Sequence, residues 1–390
     1  MLGINSNINS LVAQQNLTGS GSALSQAITR LSSGKRINSA ADDAAGLAIS
    51  NIMQTQINGL NQGVSNSNDG VSLVQTASSG LSSLTNSLQR IRQLATQAAN
   101  GSMTSNDRAA LQQEVSQQVS EINRVASQTT YNGMNVLNGT LGTVSFQVGA
   151  NVGQTISLNL TQNMSAASIG SGVPQAGNTV GTFTGLTLDS TGASVAASAA
   201  TVTSINVVSD GSGGYTFTDQ NNQALSNGAV TTLFTATGAA STNGNGFQGS
   251  GTAVTLTAAT VITDAGSAGS AAATAMEAQV NAYNVPTTVA SVDISTASGA
   301  SMAMESIDNA LTTLNNLQAT LGAAQNRFTA IGTTQQAQST DLSTAQSSIQ
   351  DANFAAETAN LSKAQVLQQA GISVLAQANS QPQQILKLLQ

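Results

Sequence analysis

Side chains able to do chemistry are few in this chain, and their placement excludes more than it suggests. Among 390 residues there is no His and no Cys. That removes imidazole-based dyads and triads, paired-histidine zinc sites, thiol nucleophiles and disulfides. The adjacent carboxylates Asp42-Asp43, inside Asn38-Ser-Ala-Ala-Asp-Asp-Ala-Ala-Gly46, are the one pair suited to general acid/base work or calcium. Neighbouring helical residues point about 100° apart, however, and no third acid lies nearby to complete an oxygen cage. A capping and turn element between two helices is the better reading. Gly-rich stretches in the middle lack the Gly-Lys-Ser/Thr ending of a phosphate cradle. The Ser and Thr there are O-glycan acceptors or, more commonly, solvated loop. Arg90 and Leu94, four apart, lie off the Leu81/Leu88/Ala95 stripe and read as side by side on another helix face, with Glu114 opening the next helix. From spacing alone these three are a solvated face with an occasional ion pair. No catalytic, cofactor or metal site is expected.

Charge narrows the partners. Charged residues make up 7% and the formal net charge is -7, against roughly 25% charged residues in ordinary soluble domains. All ten Lys and Arg lie at or before Arg124 or at or after Arg327, and the stretch between holds eight acids and no base. Nucleic acid is excluded as a partner of the middle, as is an anionic membrane surface. With no run of 18 apolar residues, membrane insertion is not expected either. The start, Met1-Leu-Gly-Ile-Asn-Ser-Asn-Ile-Asn-Ser10, has neither the basic opening nor the apolar core of a secretory signal, so the expected location is cytoplasmic or reached by a signal-independent export route.

Aromatics supply 3% and Trp is absent, so burial is expected along extended contacts between long helices rather than in a large aromatic-filled core. Such helices are legible. Leu60, Ser67, Val74, Leu81, Leu88 and Ala95 form a seven-residue stripe, flanked by Val64, Val71, Ala77, Leu84, Ile91 and Ala98. Asn100-Gly101-Ser102 and Asp107 signal a stop and restart, and Leu111, Val115, Val119, Ile122 and Val125 give the returning helix. Near the other end Ile307, Leu314, Leu321, Phe328, Gln335, Leu342 and Ile349 answer at the same spacing, broken only by Gln335. The fold class expected is mainly α with a β-rich insertion, the two ends forming one long antiparallel coiled-coil or helix bundle.

At the extreme ends the pattern weakens. Ile4, Ile8 and Leu11 give one stretch, and Leu17, Leu24, Ile28 and Leu31 resume out of phase; Phe354, Leu361, Ile372, Leu375, Ile385 and Leu388 are the sparse mate. Helix is expected to be marginal there, with both termini disordered in the monomer and ordered by neighbours. Ile4, Ile8, Leu11, Leu24, Ile28, Leu31, Leu361, Ile372, Leu375 and Leu388 are the candidate assembly residues. From Tyr131 to about Leu160 the period becomes 2, with strands Val144 to Val148 and Ile156 to Leu160. Further strands are expected at Thr182 to Leu188, Val202 to Val208, Tyr215 to Asp219, Val230 to Ala236 and Val254 to Ile262, the second and third joined at Ser209-Asp-Gly-Ser-Gly-Gly214. The alternative for this middle is a low-complexity linker.

Over roughly positions 1 to 160 and 295 to 390 the chain closely resembles bacterial flagellin. The resemblance rests on Arg30-Leu-Ser-Ser-Gly-Lys-Arg-Ile-Asn-Ser-Ala-Ala-Asp-Asp-Ala-Ala-Gly-Leu-Ala-Ile49, Leu88-Gln-Arg-Ile-Arg-Gln-Leu-Ala-Thr-Gln97, Tyr131-Asn-Gly-Met-Asn-Val-Leu-Asn-Gly139, Ile349-Gln-Asp-Ala-Asn-Phe354 and Ser373-Val-Leu-Ala-Gln-Ala-Asn379. It implies a secreted, extracellular filament subunit for motility, exported by the flagellar type III apparatus. Residues 1–45 and 350–390 would line the inner tube, 46–170 with 295–349 would form a helical bundle with β-hairpins, and 171–294 a variable outer β-rich domain. The implied partners are copies of itself, an export chaperone, hook-associated junction and cap proteins, and host Toll-like receptor 5. The family's receptor epitope, an Arg, a Leu and a Glu, matches Arg90, Leu94 and Glu114; Gln93 and Val152 stand where many relatives have Glu and Asp. The middle carries no family motif. A hook-associated junction protein of the same fold is the rival reading, and a secreted adhesin acting through its middle is a rival of another class.

Overall fold

The computed structural model describes residues 7–172, 176–193, 195–196, 198–210, 214–226, 229–230, 233–236, 246–247, 254–256, 278 and 287–388, without the side chains of 235–236, 246–247, 254–256 and 381–388. Five long helices carry it: α1 (Ile8–Ser33), α2 (Ala44–Ala98), α3 (Ser105–Gln128), α4 (Ala297–Gln350) and α5 (Phe354–Leu388). Two compact units divide the chain, one from Met1–Asn68, Gln147–Ile156 and Thr329–Gln390, the other from Asp69–Phe146 and Ser157–Phe328.

In the second unit the heptad stripes are the core. Val74, Leu81, Leu84, Leu88 and Ile91 of α2, Val115 and Ile122 of α3, and Ile307, Leu314, Leu321 and Phe328 of α4 are all fully buried. Each such side chain contributes about 1.5–3 kcal/mol relative to exposure. Arg92 clamps α2 to α4 through two bonds to Asp308, at 2.6 and 3.1 Å, and Thr96 lies against Met304 one turn on. As α2 advances, its partners on α4 recede, so the pair is antiparallel. Helix α3 starts where the restart signal stands. Thr104 caps it, and Asp107 returns the bond to complete a capping box. The hydroxyl and amide of Thr104 hold the Asp107 carboxyl below its usual range.

The first unit continues the pairing with a more polar seam. Ser50 and Gln54 meet Gln346, the Ser50 hydroxyl reaches Gln350, and Ser339 bonds Asn61. The single polar break in each sequence stripe falls in one place: Gln335 Oε1 lies 2.5 Å from where a Cβ of Gly63 would stand, and Gly332 faces Ser67. Both breaks are buried.

Two hairpins follow α3: β1 (Thr130–Tyr131) with β2 (Met134–Asn135), and β3 (Gly142–Gln147) with β4 (Thr155–Leu160). In the middle, β5 (Thr179–Leu188), β6 (Val202–Ser209), β7 (Tyr215–Asp219) and β9 (Gly246–Phe247) form a four-stranded antiparallel sheet in that order. β8 (Phe234–Ala236) pairs separately with β10 (Val254–Leu256). The expected β6–β7 hairpin is present, closed by mutual bonds of Asp210 and Gly214; positions 211–213 of its turn lie outside the described residues, as do 257–262 of the last expected strand. Where composition argued against an aromatic core, Phe234 sits 4.4 Å from Phe217 and 5.6 Å from Phe183 between ring centroids. Three of the seven phenylalanines meet in one cluster, Phe183 and Phe217 from the four-stranded sheet and Phe234 from β8, so a low average hides a locally ordinary core.

Candidate functional site

The carboxylate pair resolves into turn chemistry. Asp42 accepts from the Asn38 and Ser39 amides and the Ser39 hydroxyl, which hold it below the usual carboxylate range, the Ser39 amide most of all. Asp43 accepts from the Gly46 amide. Both carboxylates are used up in ending one helix and starting the next. Among the described residues no group of acids is placed to hold a metal ion.

That turn belongs to a joint. Residues 34–37, leaving α1, run antiparallel to 349–352, leaving α4: Arg36 and Ile37 amides donate to the Gln350 carbonyl, Ala352 donates to Gly34, and Arg36 Nη2 reaches the Ile349 carbonyl at 2.6 Å. Ile37, 2% exposed, is the apolar pin of this clasp. Replacing it (Ile37→Ala) removes about 2–5 kcal/mol of local packing. Trypsin cleavage after Lys35 and Arg36 in the dilute monomer should therefore rise tenfold or more, since cleavage tracks the open population; an unchanged rate would show that Ile37 does not hold the joint.

Beyond the joint α1 and α5 lie antiparallel. Asn7 Nδ2 bonds the Ala378 carbonyl at 2.8 Å, the Ser10 hydroxyl bonds Asn379, and Gly371 lies against Leu17. Helix here is continuous, unlike the marginal helix the spacing suggested. What the two helices bury most fully is Ala13, Ala27, Glu357, Ala364 and Ala378, and Leu17, Leu24, Leu31, Leu361 and Leu375 lie half-buried along the same seam. Their remaining large apolar side chains face outward. Of the candidate assembly residues, Ile8, Leu11, Ile28 and Ile372 are 58%, 69%, 51% and 55% exposed, while Leu24, Leu31, Leu361 and Leu375 are half-buried. Ile4 lies outside the described residues, as does the side chain of Leu388. Sequence reasoning missed Val12, Val366, Leu367 and Val374, which are equally exposed; spacing from their neighbours was the available signal, and the heptad template hid it.

On the second unit Arg90 and Glu114 meet, Arg90 Nε and Nη2 each 2.7 Å from Glu114 Oε1. Gln93 accepts from Arg90 at 3.4 Å. Leu94 does not share that face: it is 1% exposed. Burial on α2 recurs at 73, 74, 77, 80, 81, 84, 87, 88, 91, 94, 95 and 98, three positions in every two turns. A helix clasped from two sides has an apolar arc wider than one stripe, and Leu94 falls inside it.

Family models match three stretches: the bacterial flagellin N-terminal helical region over 4–141, the flagellin D2 domain over 172–284 and the bacterial flagellin C-terminal helical region over 304–389. B-type flagellin of Pseudomonas aeruginosa is 38% identical over an alignment of 487 positions, covering 100% of this chain and 99% of that protein. The chain belongs to the flagellin family. Flagellin B of Vibrio cholerae is 35% identical over 100% of this chain and 99% of its own length. FliC of Burkholderia pseudomallei is similar in structure, with a TM-score of 0.59 and 60% identity over 66% of this chain and 99% of that one. As a flagellin the chain is a structural subunit of the bacterial flagellar filament, which polymerises with copies of itself. The junction-protein reading is the weaker fit, since relatives covering the whole chain are flagellins. The middle, where no motif is legible by eye, is recognised as a flagellin D2 domain.

Proposed function

We propose that α1 and α5 carry the polymerisation surface of this flagellin, through outward Ile8, Leu11, Ile28 and Ile372 with Ile4 and Leu388, backed along the seam by half-buried Leu24, Leu31, Leu361 and Leu375, and that catalysis is no part of its work. One observation carries this: beside a seam of buried alanines and half-buried leucines, the helix pair leaves Ile8, Leu11, Val12, Ile28, Val366, Leu367, Ile372 and Val374 at least half exposed, an arrangement that gains free energy only when other copies cover them. Assembly is then heterologous and non-closing, which generates a helical lattice. The domain division follows, with 1–45 and 350–390 at the axis, 46–170 and 295–349 around them, and 171–294 outermost. Electron microscopy of the purified chain after seeding tests it. Smooth helical filaments are expected; aggregates or soluble monomer would overturn the reading.

The subunit is secreted to reach the growing tip. An export chaperone would shield the exposed face of α5 before assembly, and junction and cap proteins would meet the same surface at the filament's ends. Host Toll-like receptor 5 recognition is proposed for the exposed Arg90–Glu114 pair, with buried Leu94 setting the position of Arg90 rather than touching the receptor.

A further inference from the structure

Between β3 and β4 the chain makes a turn built around one side chain that touches nothing. Val152 is 103% exposed, more than in an extended reference peptide, and the most exposed of the large apolar side chains among the described residues. The turn that presents it is fixed. Gln147 Nε2 donates to the carbonyls of Gly149 and Asn151 at 2.9 and 2.7 Å, and the Asn151 amide donates to Gln154 Oε1 at 3.1 Å. Val148 donates to the Gln154 carbonyl and Gln154 to that of Asn151. Gly153 takes φ +87°, and a Cβ at Gly149 would stand 2.0 Å from Gln154 Oε1, so the sequence is fitted to this one conformation. The turn is also seated on α2: Asn66 Nδ2 bonds the Gln147 carbonyl at 2.7 Å, and Gly59 and Gly63 admit Ala150 and the Val148 carbonyl where any side chain would collide.

A loop serving only to reverse the chain needs neither this network nor a β-branched apolar side chain at its apex, where Asn, Asp or Gly would be soluble and locally favourable. Ile52, 61% exposed, lies seven residues before Gly59 on the same face of α2, and Ile49, 47% exposed, lies one turn further on. The hairpin tip, this stretch of α2 and the outward faces of α1 and α5 belong to one compact unit, so its exposed apolar surface extends beyond the terminal helices.

We propose that Val152 is a preorganised knob that inserts into an apolar recess on a second copy of this chain, a lateral contact additional to those of the terminal helices. The occupant is a second copy because the chain is a filament subunit and the knob is part of the unit that carries the polymerisation surface; the inference rests on that reading. Holding the turn rigid before contact removes the ordering cost from the assembly step.

The test is seeded elongation of the full chain, comparing the unsubstituted protein with Val152→Ser and Val152→Ile, alongside thermal melting of each monomer. The expected result is a critical concentration about tenfold higher for Val152→Ser, equivalent to about 1.4 kcal/mol, near-normal for Val152→Ile, and monomer melting unchanged in both, because the serine forgoes the burial of an apolar side chain at the contact. Equal critical concentrations for all three overturn the knob and leave the filament reading intact. A drop in monomer melting for Val152→Ser overturns it too, since the side chain would then act within the subunit. If the unsubstituted chain itself does not elongate, the filament reading has failed and the knob with it.

Discussion

A chain lacking residues 1–40, or one lacking 350–390, is expected to stay soluble when seeded, at concentrations where the full chain elongates. The first truncation removes Ile8, Leu11, Val12 and Ile28, and the second Phe354, Val366, Leu367, Ile372 and Val374, all at least half exposed in the isolated subunit. At about 1.5–3 kcal/mol for each side chain fully covered, even partial burial of four amounts to several kcal/mol, and each 1.4 kcal/mol is tenfold in affinity. Either loss should raise the critical concentration by a thousandfold or more, read by sedimentation and electron microscopy. Deleting 175–290 instead should leave elongation in place, because the terminal faces are untouched. Filaments from a truncated chain, with none from the chain lacking its middle, would reverse the assignment and favour the adhesin-like reading.

The second large effect concerns stability. Phe328 is fully buried in the second unit; its ring lies edge-on to Phe146 at 5.2 Å between centroids, and Gly70 lacks the Cβ that would stand 2.6 Å from the ring. Phe328→Ala should cost about 3–5 kcal/mol, including the aromatic pair's share of about 0.5–1.5 kcal/mol. A lower urea midpoint of the full chain, corresponding through the m-value to a loss of this size, is expected by circular dichroism, with Phe328→Leu falling less because it keeps more of the volume. Gly70→Ala should also destabilise, since the ring has nowhere to move. An unchanged midpoint for Phe328→Ala would mean that the seven-residue stripe of α4 does not carry the core.

How far the sequence could be read depended on which physical rule dominated locally. Along α2 and α4, repeating apolar burial sets the pattern, and Val74, Leu81, Leu88, Ile307, Leu314 and Leu321 stand where spacing placed them. The breaks at Ser67 and Gln335 looked like separate flaws in separate helices; only the antiparallel register reveals that they fall together. Leu94 was misplaced because spacing defines a stripe on one helix, whereas the width of a buried arc depends on how many partners surround it. On the terminal helices the seven-residue spacing of Leu17, Leu24 and Leu31 marks the seam, to which the buried Ala13, Ala27, Ala364 and Ala378 are too small to add a signal. The exposed residues between, such as Val12, Val366 and Val374, fall outside that template. Val152 is legible only in three dimensions, since a lone valine in a Gly-rich turn carries no pattern of its own.

The central claim is that the terminal helices hold the assembly surface, and amide hydrogen exchange measured on the same chain as dilute monomer and as filament tests it most directly. A helix pair whose only fully buried apolar side chains, among the described residues, are alanines should open easily. Amides in 8–33 and 354–388 should therefore exchange fast in the monomer and become protected by two or more orders of magnitude in the filament, while those around Leu84 and Leu88 of α2 are slow in both. Equal protection of the termini in the two states, with the change appearing in the middle domain instead, would contradict it.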